Sequence, residues 1–117
     1  MGQLTTHVLD TSSGCPAAGL ALRLYRVDAH GLSPIKALTL NADGRADAPL
    51  LQGAEMQRGR YRLVFELAAY FRAQGHELPE PAFLDEVLVD FGIADPESDY
   101  HVPLLASPWS YATYRGS

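Results

Sequence analysis

Short apolar–polar alternations, each closed by a turn signal, are what most restrict how this chain can fold. A strand sends successive side chains to opposite faces, so a period of two marks a sheet with one face in the core. Residues 20–27 alternate cleanly, with Leu20, Leu22 and Leu24 toward a core and Arg23 and Tyr25 away from it. Residues 60–67 place Tyr61, Leu63, Phe65 and Leu67 on one face, and residues 86–93 place Val87, Val89, Phe91 and Ile93 inward. Looser strand-like runs cover 3–10, 35–40, 100–106 and 110–116, with a short strand at best over 45–50. The punctuation is equally regular. Thr11–Pro16, Ala94–Asp99 and Ser107-Pro108 read as turns. Asn41-Ala42-Asp43-Gly44 reads as a hairpin, because Asp-Gly readily supplies positive φ. Only residues 67–75 change to helix-forming composition, with Gly75 placed to end the helix. Roughly eight short strands and one short helix predict an all-β fold, a sandwich of two sheets. A length of 117 residues suits one domain spanning 1–117.

Composition removes several function classes. The chain carries 9 basic and 14 acidic residues, a net charge of −5. Nucleic-acid binding needs a basic patch that displaces counterions from phosphates, so nucleic acid is not an expected partner. No apolar run approaches the roughly 20 residues of a membrane span. The N-terminal residues lack the basic-then-apolar order of a secretory leader. Cys15 is the single cysteine, so no internal disulfide forms and a reducing compartment suits the chain. The expectation is a cytoplasmic protein with no membrane partner.

The residues able to carry chemistry are few. His30 and His76 each sit beside a glycine and read as surface loop residues. His7 and His101 lie inside strand-like runs, where an imidazole is either a satisfied structural group or a proton-transfer group. Arg45 follows the Asp43-Gly44 turn. It is either a solvated charge or a clamp for an anion or a carbonyl oxygen. Trp109, Tyr111 and Tyr114 offer an apolar face for oligomer contacts near the C-terminus. Paired cysteines, His-x-His and His-Glu-x-x-His are all absent, which leaves no zinc signature. The run from Asn41 fails as a calcium loop, because its glycine is at the fourth position and Gln52 stands at the twelfth.

Four segments, in this order, carry a resemblance. They are Thr6-His7-Val8-Leu9-Asp10 with Gly14-x-Pro16-Ala17, Asn41-x-Asp43-Gly44-Arg45, Tyr100-His101-Val102-Pro103-Leu104-Leu105 before Ser107-Pro108, and Tyr114-Arg115-Gly116-Ser117. Together the segments resemble the 5-hydroxyisourate hydrolases of the transthyretin-like family, across essentially the whole chain. The terminal Tyr-Arg-Gly-Ser is the most specific of them. The resemblance implies a sandwich of two four-stranded sheets with one short helix, assembled as a homotetramer that is a dimer of dimers. It implies hydrolytic opening of the 5-hydroxyisourate ring, in urate degradation, without a metal or an organic cofactor. It maps catalytic roles to His7, Arg45, His101 and Ser117, and substrate binding to His7, Arg45 and Tyr114. The alternatives are a small-ligand carrier on the same fold and a structural sandwich module. In the carrier the position matching His7 is a lysine and the Tyr-Arg-Gly-Ser ending is missing, so both features favour the hydrolase.

Overall fold

Each alternating run finds a partner that buries its apolar side. The computed structural model describes residues 2–116. Its strands are β1 (Gln3–Asp10), β2 (Cys15–Pro16), β3 (Ala21–Asp28), β4 (Gly31–Thr39), β5 (Leu51–Gln52), β6 (Gly59–Phe65), β7 (Val87–Ile93), β8 (Tyr100–Ala106) and β9 (Tyr111–Thr113). One sheet runs β2-β1-β8-β9, with β5 also on β1, and the other runs β4-β3-β6-β7. The first sheet has five strands because two-residue β5 pairs with the start of β1, Gln3 opposite Gln52. Strands β1 and β8 are parallel, while every other pairing is antiparallel.

The core fills the space between the sheets. Leu4, Val8, Val102 and Leu104 come from one, and Leu22, Leu24, Leu63, Phe65 and Ile93 from the other. Phe91 is the exception among the inward positions of β7. It is half-buried and stacks on Tyr61 at a centroid distance of 5.8 Å. Helix α1 (Leu67–Ala73) buries Leu67, Ala68, Tyr70 and Phe71, the adjacent-turn spacing of one helical face. Gly75 follows it at φ +94°, in the left-handed region. The helix is tied to β1 by a buried hydrogen bond, with the Tyr70 hydroxyl donating to Asp10 Oδ2 at 2.9 Å. Asp10 Oδ1 accepts from the Ser12 amide at 3.0 Å, the Ser12 hydroxyl at 2.6 Å and the Ser13 amide at 3.2 Å. Burial opposes the Asp10 charge, but the hydrogen bonds outweigh it and hold the carboxyl below its ordinary pKa.

Four sequence expectations change. Residues 46–50 form no strand. Arg45 makes a single antiparallel bridge to His7, and regular pairing resumes only at β5. The Asn41–Gly44 turn is real but joins no hairpin. Asn41 Oδ1 accepts the amides of Asp43 and Arg45 at 2.9 and 3.2 Å, which satisfies the loop locally and turns it toward β1. The last strand stops at Thr113, because the chain then leaves β9 and returns to β8 only at the Gly116–His101 bridge. Strand β4 begins earlier than the apolar pattern suggested and passes through Pro34. It is an edge strand, and its register shifts opposite Leu24 and Tyr25, where a missing N–H is tolerated. No helix among the described residues is long and apolar enough to cross a membrane.

Candidate active site

The parallel pairing of β1 with β8 builds the site. Thr5 stands opposite His101 and His7 opposite Pro103. Leu4, Thr6 and Val8 point into the core, so Thr5 and His7 share the outer face with His101. The two histidines are thus offset by two residues on neighbouring strands, about 6.6 Å of rise along the sheet. Beneath them, buried Thr6 donates its hydroxyl to the Val102 carbonyl at 2.7 Å and locks the register.

The Asn41–Arg45 turn supplies the cation. Gly44 adopts φ +70°, and a Cβ there would lie 2.6 Å from the Val8 carbonyl oxygen. Only glycine lets the turn approach β1 this closely. The Val8 amide donates to the Gly44 carbonyl at 2.9 Å, and the next residue, Arg45, bridges His7. The Arg45 side chain is exposed and forms no ion pair with any described residue. A cavity of about 160 Å³ beside it is lined by Thr5, Thr6, Arg45 and Asp47 among others.

Both imidazoles are tuned toward the neutral form. His7 lies below its ordinary pKa, first through burial and then through the Arg45 charge, against backbone hydrogen bonding at Asp43. His101 is also lowered, by burial, then by Arg45, then by His7, against backbone hydrogen bonding at Thr5. A neutral imidazole beside a guanidinium that no described residue pairs can accept a proton while the cation stabilises a developing oxyanion.

The chain end closes over β8. The Gly116 amide donates to the His101 carbonyl at 2.8 Å. The Arg115 guanidinium packs over the Tyr100 ring at 4.1 Å and donates to the Asp99 carbonyl at 3.1 Å. A Cβ on Gly116 would sit 2.6 Å from His101 Cδ2, so the backbone lies directly on the imidazole.

The structure therefore brings His7, Arg45 and His101 together. Tyr114 stands apart, exposed, lining a different cavity of about 230 Å³ with Val89, Phe91, Tyr100, Val102 and Arg115. Ser117 lies outside the described residues. His30 is exposed, and His76 packs edge-on against Phe71 at 5.1 Å, so neither reaches the site. Sequence reasoning missed Gly116 as a spacer, and it missed Thr5, whose Oγ1 lies 2.8 Å from His101 Nδ1. The Thr5 contact bridges 96 positions of sequence and leaves no local signal. Among the described residues no group of three or more His, Cys, Asp or Glu side chains is placed to hold a metal.

A family model described as the HIUase/Transthyretin family matches residues 4–116. The chain belongs to this family. Within it, the chain is 56% identical to a 5-hydroxyisourate hydrolase of Pseudomonas aeruginosa, over all of this chain and 93% of that protein. Among solved structures, the 5-hydroxyisourate hydrolase of Klebsiella pneumoniae superposes with a TM-score of 0.82 at 35% identity, covering 100% of both chains. Sea bream transthyretin bound to thyroxine superposes with a TM-score of 0.85 at 31% identity, covering 97% of this chain and 94% of that one. The sandwich is thus common to a 5-hydroxyisourate hydrolase and a thyroxine-bound transthyretin. The higher identity lies with the hydrolase, and at the family level this chain is an enzyme.

Proposed function

We propose that this protein hydrolyses 5-hydroxyisourate to 2-oxo-4-hydroxy-4-carboxy-5-ureidoimidazoline, a step of urate degradation. The observation that carries the reading is the meeting of two neutral-tending histidines and one arginine on the outer face of β1 and β8. The substrate is a fused bicyclic heterocycle with ring carbonyls. A water attacks one of them, and a neutral imidazole takes its proton, a contribution of roughly 10²–10⁴-fold in rate. Negative charge gathers on the carbonyl oxygen, where the Arg45 guanidinium stabilises it. When the intermediate collapses, the ring C–N bond breaks. The imidazolium returns its proton to the leaving nitrogen, and a carboxylate remains. His7 and His101 divide these transfers, and Ser117 contributes its hydroxyl. No metal or organic cofactor takes part in this scheme.

The assembly in this reading is a homotetramer, a dimer of dimers, with the substrate bound where subunits meet. Trp109 and Tyr114 support it, being 58% and 59% exposed in the single chain. Exposed Cys15, a free thiol, supports a reducing compartment, and we assign the enzyme to the cytoplasm on that ground. Small-ligand carriage without catalysis is the second reading, favoured by the match to the thyroxine-bound transthyretin.

The test is the ultraviolet decay of 5-hydroxyisourate made in the cuvette by urate oxidase. The protein is expected to speed the decay well beyond the spontaneous rate. Decay at the spontaneous rate, with thyroxine binding by the same preparation, would establish the carrier instead.

A further inference from the structure

His101 is held from below by one residue. Thr5 Oγ1 lies 2.8 Å from His101 Nδ1, in a contact that is partly buried. The pairing of β1 with β8 places these two residues directly opposite each other, so the contact is fixed by the sheet itself. Thr5 also offers backbone hydrogen bonding to the imidazole, of the sign given by an acceptor. A backbone carbonyl can only accept, and a threonine hydroxyl can accept as readily as it donates. No described residue hydrogen-bonds His101 Nε2. On the remaining side, Gly116 lies against Cδ2 and leaves the ring no room to tilt that way. Among the described residues the imidazole is therefore positioned at one nitrogen and uncommitted at the other.

We propose that Thr5 is a positioning residue that keeps the proton of neutral His101 on Nδ1, leaving the Nε2 lone pair free to accept a proton from water. Thr5 acts through the tautomer and angle of the ring, as groups behind metal-bound or catalytic histidines do. The proposal rests on the hydrolase reading of the site, but its central observable does not.

The variants are Thr5→Val, which keeps the β-branched shape favoured in a strand but removes the hydroxyl, and Thr5→Ser, which restores it. Long-range ¹H–¹⁵N spectra of the histidine-labelled full chain, at a pH where the imidazoles are neutral, read the His101 tautomer. Arg45 and His7 are the charged and titratable groups facing His101, and both variants leave them in place. Wild type is expected to show Nδ1 protonated and Nε2 bare. Thr5→Val is expected to show an increased Nε2–H population. It should also lose about 10- to 100-fold in kcat, with KM within about twofold, the size typical of losing a supporting hydrogen bond behind a working histidine. Thr5→Ser should recover both signals. An unchanged tautomer in a folded Thr5→Val protein overturns the proposal, whatever its activity. An altered tautomer with unaltered kcat also overturns it. A tautomer that switches in a protein whose wild type has no hydrolase activity supports the positioning and overturns the functional reading instead.

Discussion

The protonation of His7 and His101 is set by burial and by the charges around them. Burial and the Arg45 charge hold both rings below their ordinary pKa of 6.5. The base is the neutral form, so turnover should persist at neutral pH and fall on an acid limb that lies below pH 6.5. The same shift sets a sign on stability. The folded state binds fewer protons at these rings than the unfolded chain, so their effect is to weaken the fold as pH drops below about 6.5. A pH series of kcat/KM alongside denaturation midpoints checks both. An acid limb above pH 6.5 would contradict the assignment. Gly116 gives a second residue-scale prediction. Gly116→Ala drives a methyl to within 2.6 Å of His101 Cδ2 unless the ring moves. Its activity should fall at least about tenfold, the cost of about 1.4 kcal/mol in the barrier, while the melting temperature shifts little. Wild-type turnover in the alanine variant would mean that the ring can shift without loss.

At the scale of elements, the chain end behaves as a strap across β8. It is held by the Arg115–Tyr100 stack and the Gly116–His101 backbone bond. Removing residues 114–117 should abolish turnover yet leave both sheets folded, because the core residues all precede Tyr111. Circular dichroism and turnover on the truncated protein separate the two effects. Helix α1 depends on a different link. Burial, then Asp10, pushes the Tyr70 hydroxyl up to about 12, so it remains a donor to the Asp10 carboxylate throughout the working range. Tyr70→Phe removes that donor from a buried carboxylate and should cost about 1–3 kcal/mol in urea denaturation. These elements also mark what the sequence could reveal. Strands β1, β3, β6, β7 and β8 and helix α1 were legible because a buried face imposes periodicity on its residues. The course of residues 45–50 was not, since a single bridge to β1 sets no pattern. The positions of His7, Arg45 and His101 were legible one by one as polar groups in apolar or turn settings. Their meeting was not, because it follows from a parallel pairing between the first and eighth strands.

For the whole molecule, the single chain leaves one aromatic region uncovered. Trp109, Tyr111 and Phe83 are exposed, with Phe83 and Trp109 rings 6.4 Å apart. Exposed rings of this size mark a contact surface, and the proposed tetramer would cover them. Sedimentation should therefore give a mass of four chains, and a monomer at micromolar concentration would contradict the assembly. The core has no such dependence. Phe65 is fully buried between the sheets, and Phe65→Ala should cost about 3–5 kcal/mol. The central claim is that the outer face of β1 and β8 carries out the hydrolysis. The direct measurement is the decay of freshly formed 5-hydroxyisourate with wild type, His7→Ala, Arg45→Ala and His101→Asn side by side, each shown to be folded and of wild-type mass. The account predicts rapid decay with wild type and a loss of at least about 100-fold in each variant. A folded variant that decays the substrate within about twofold of wild type would place the chemistry elsewhere.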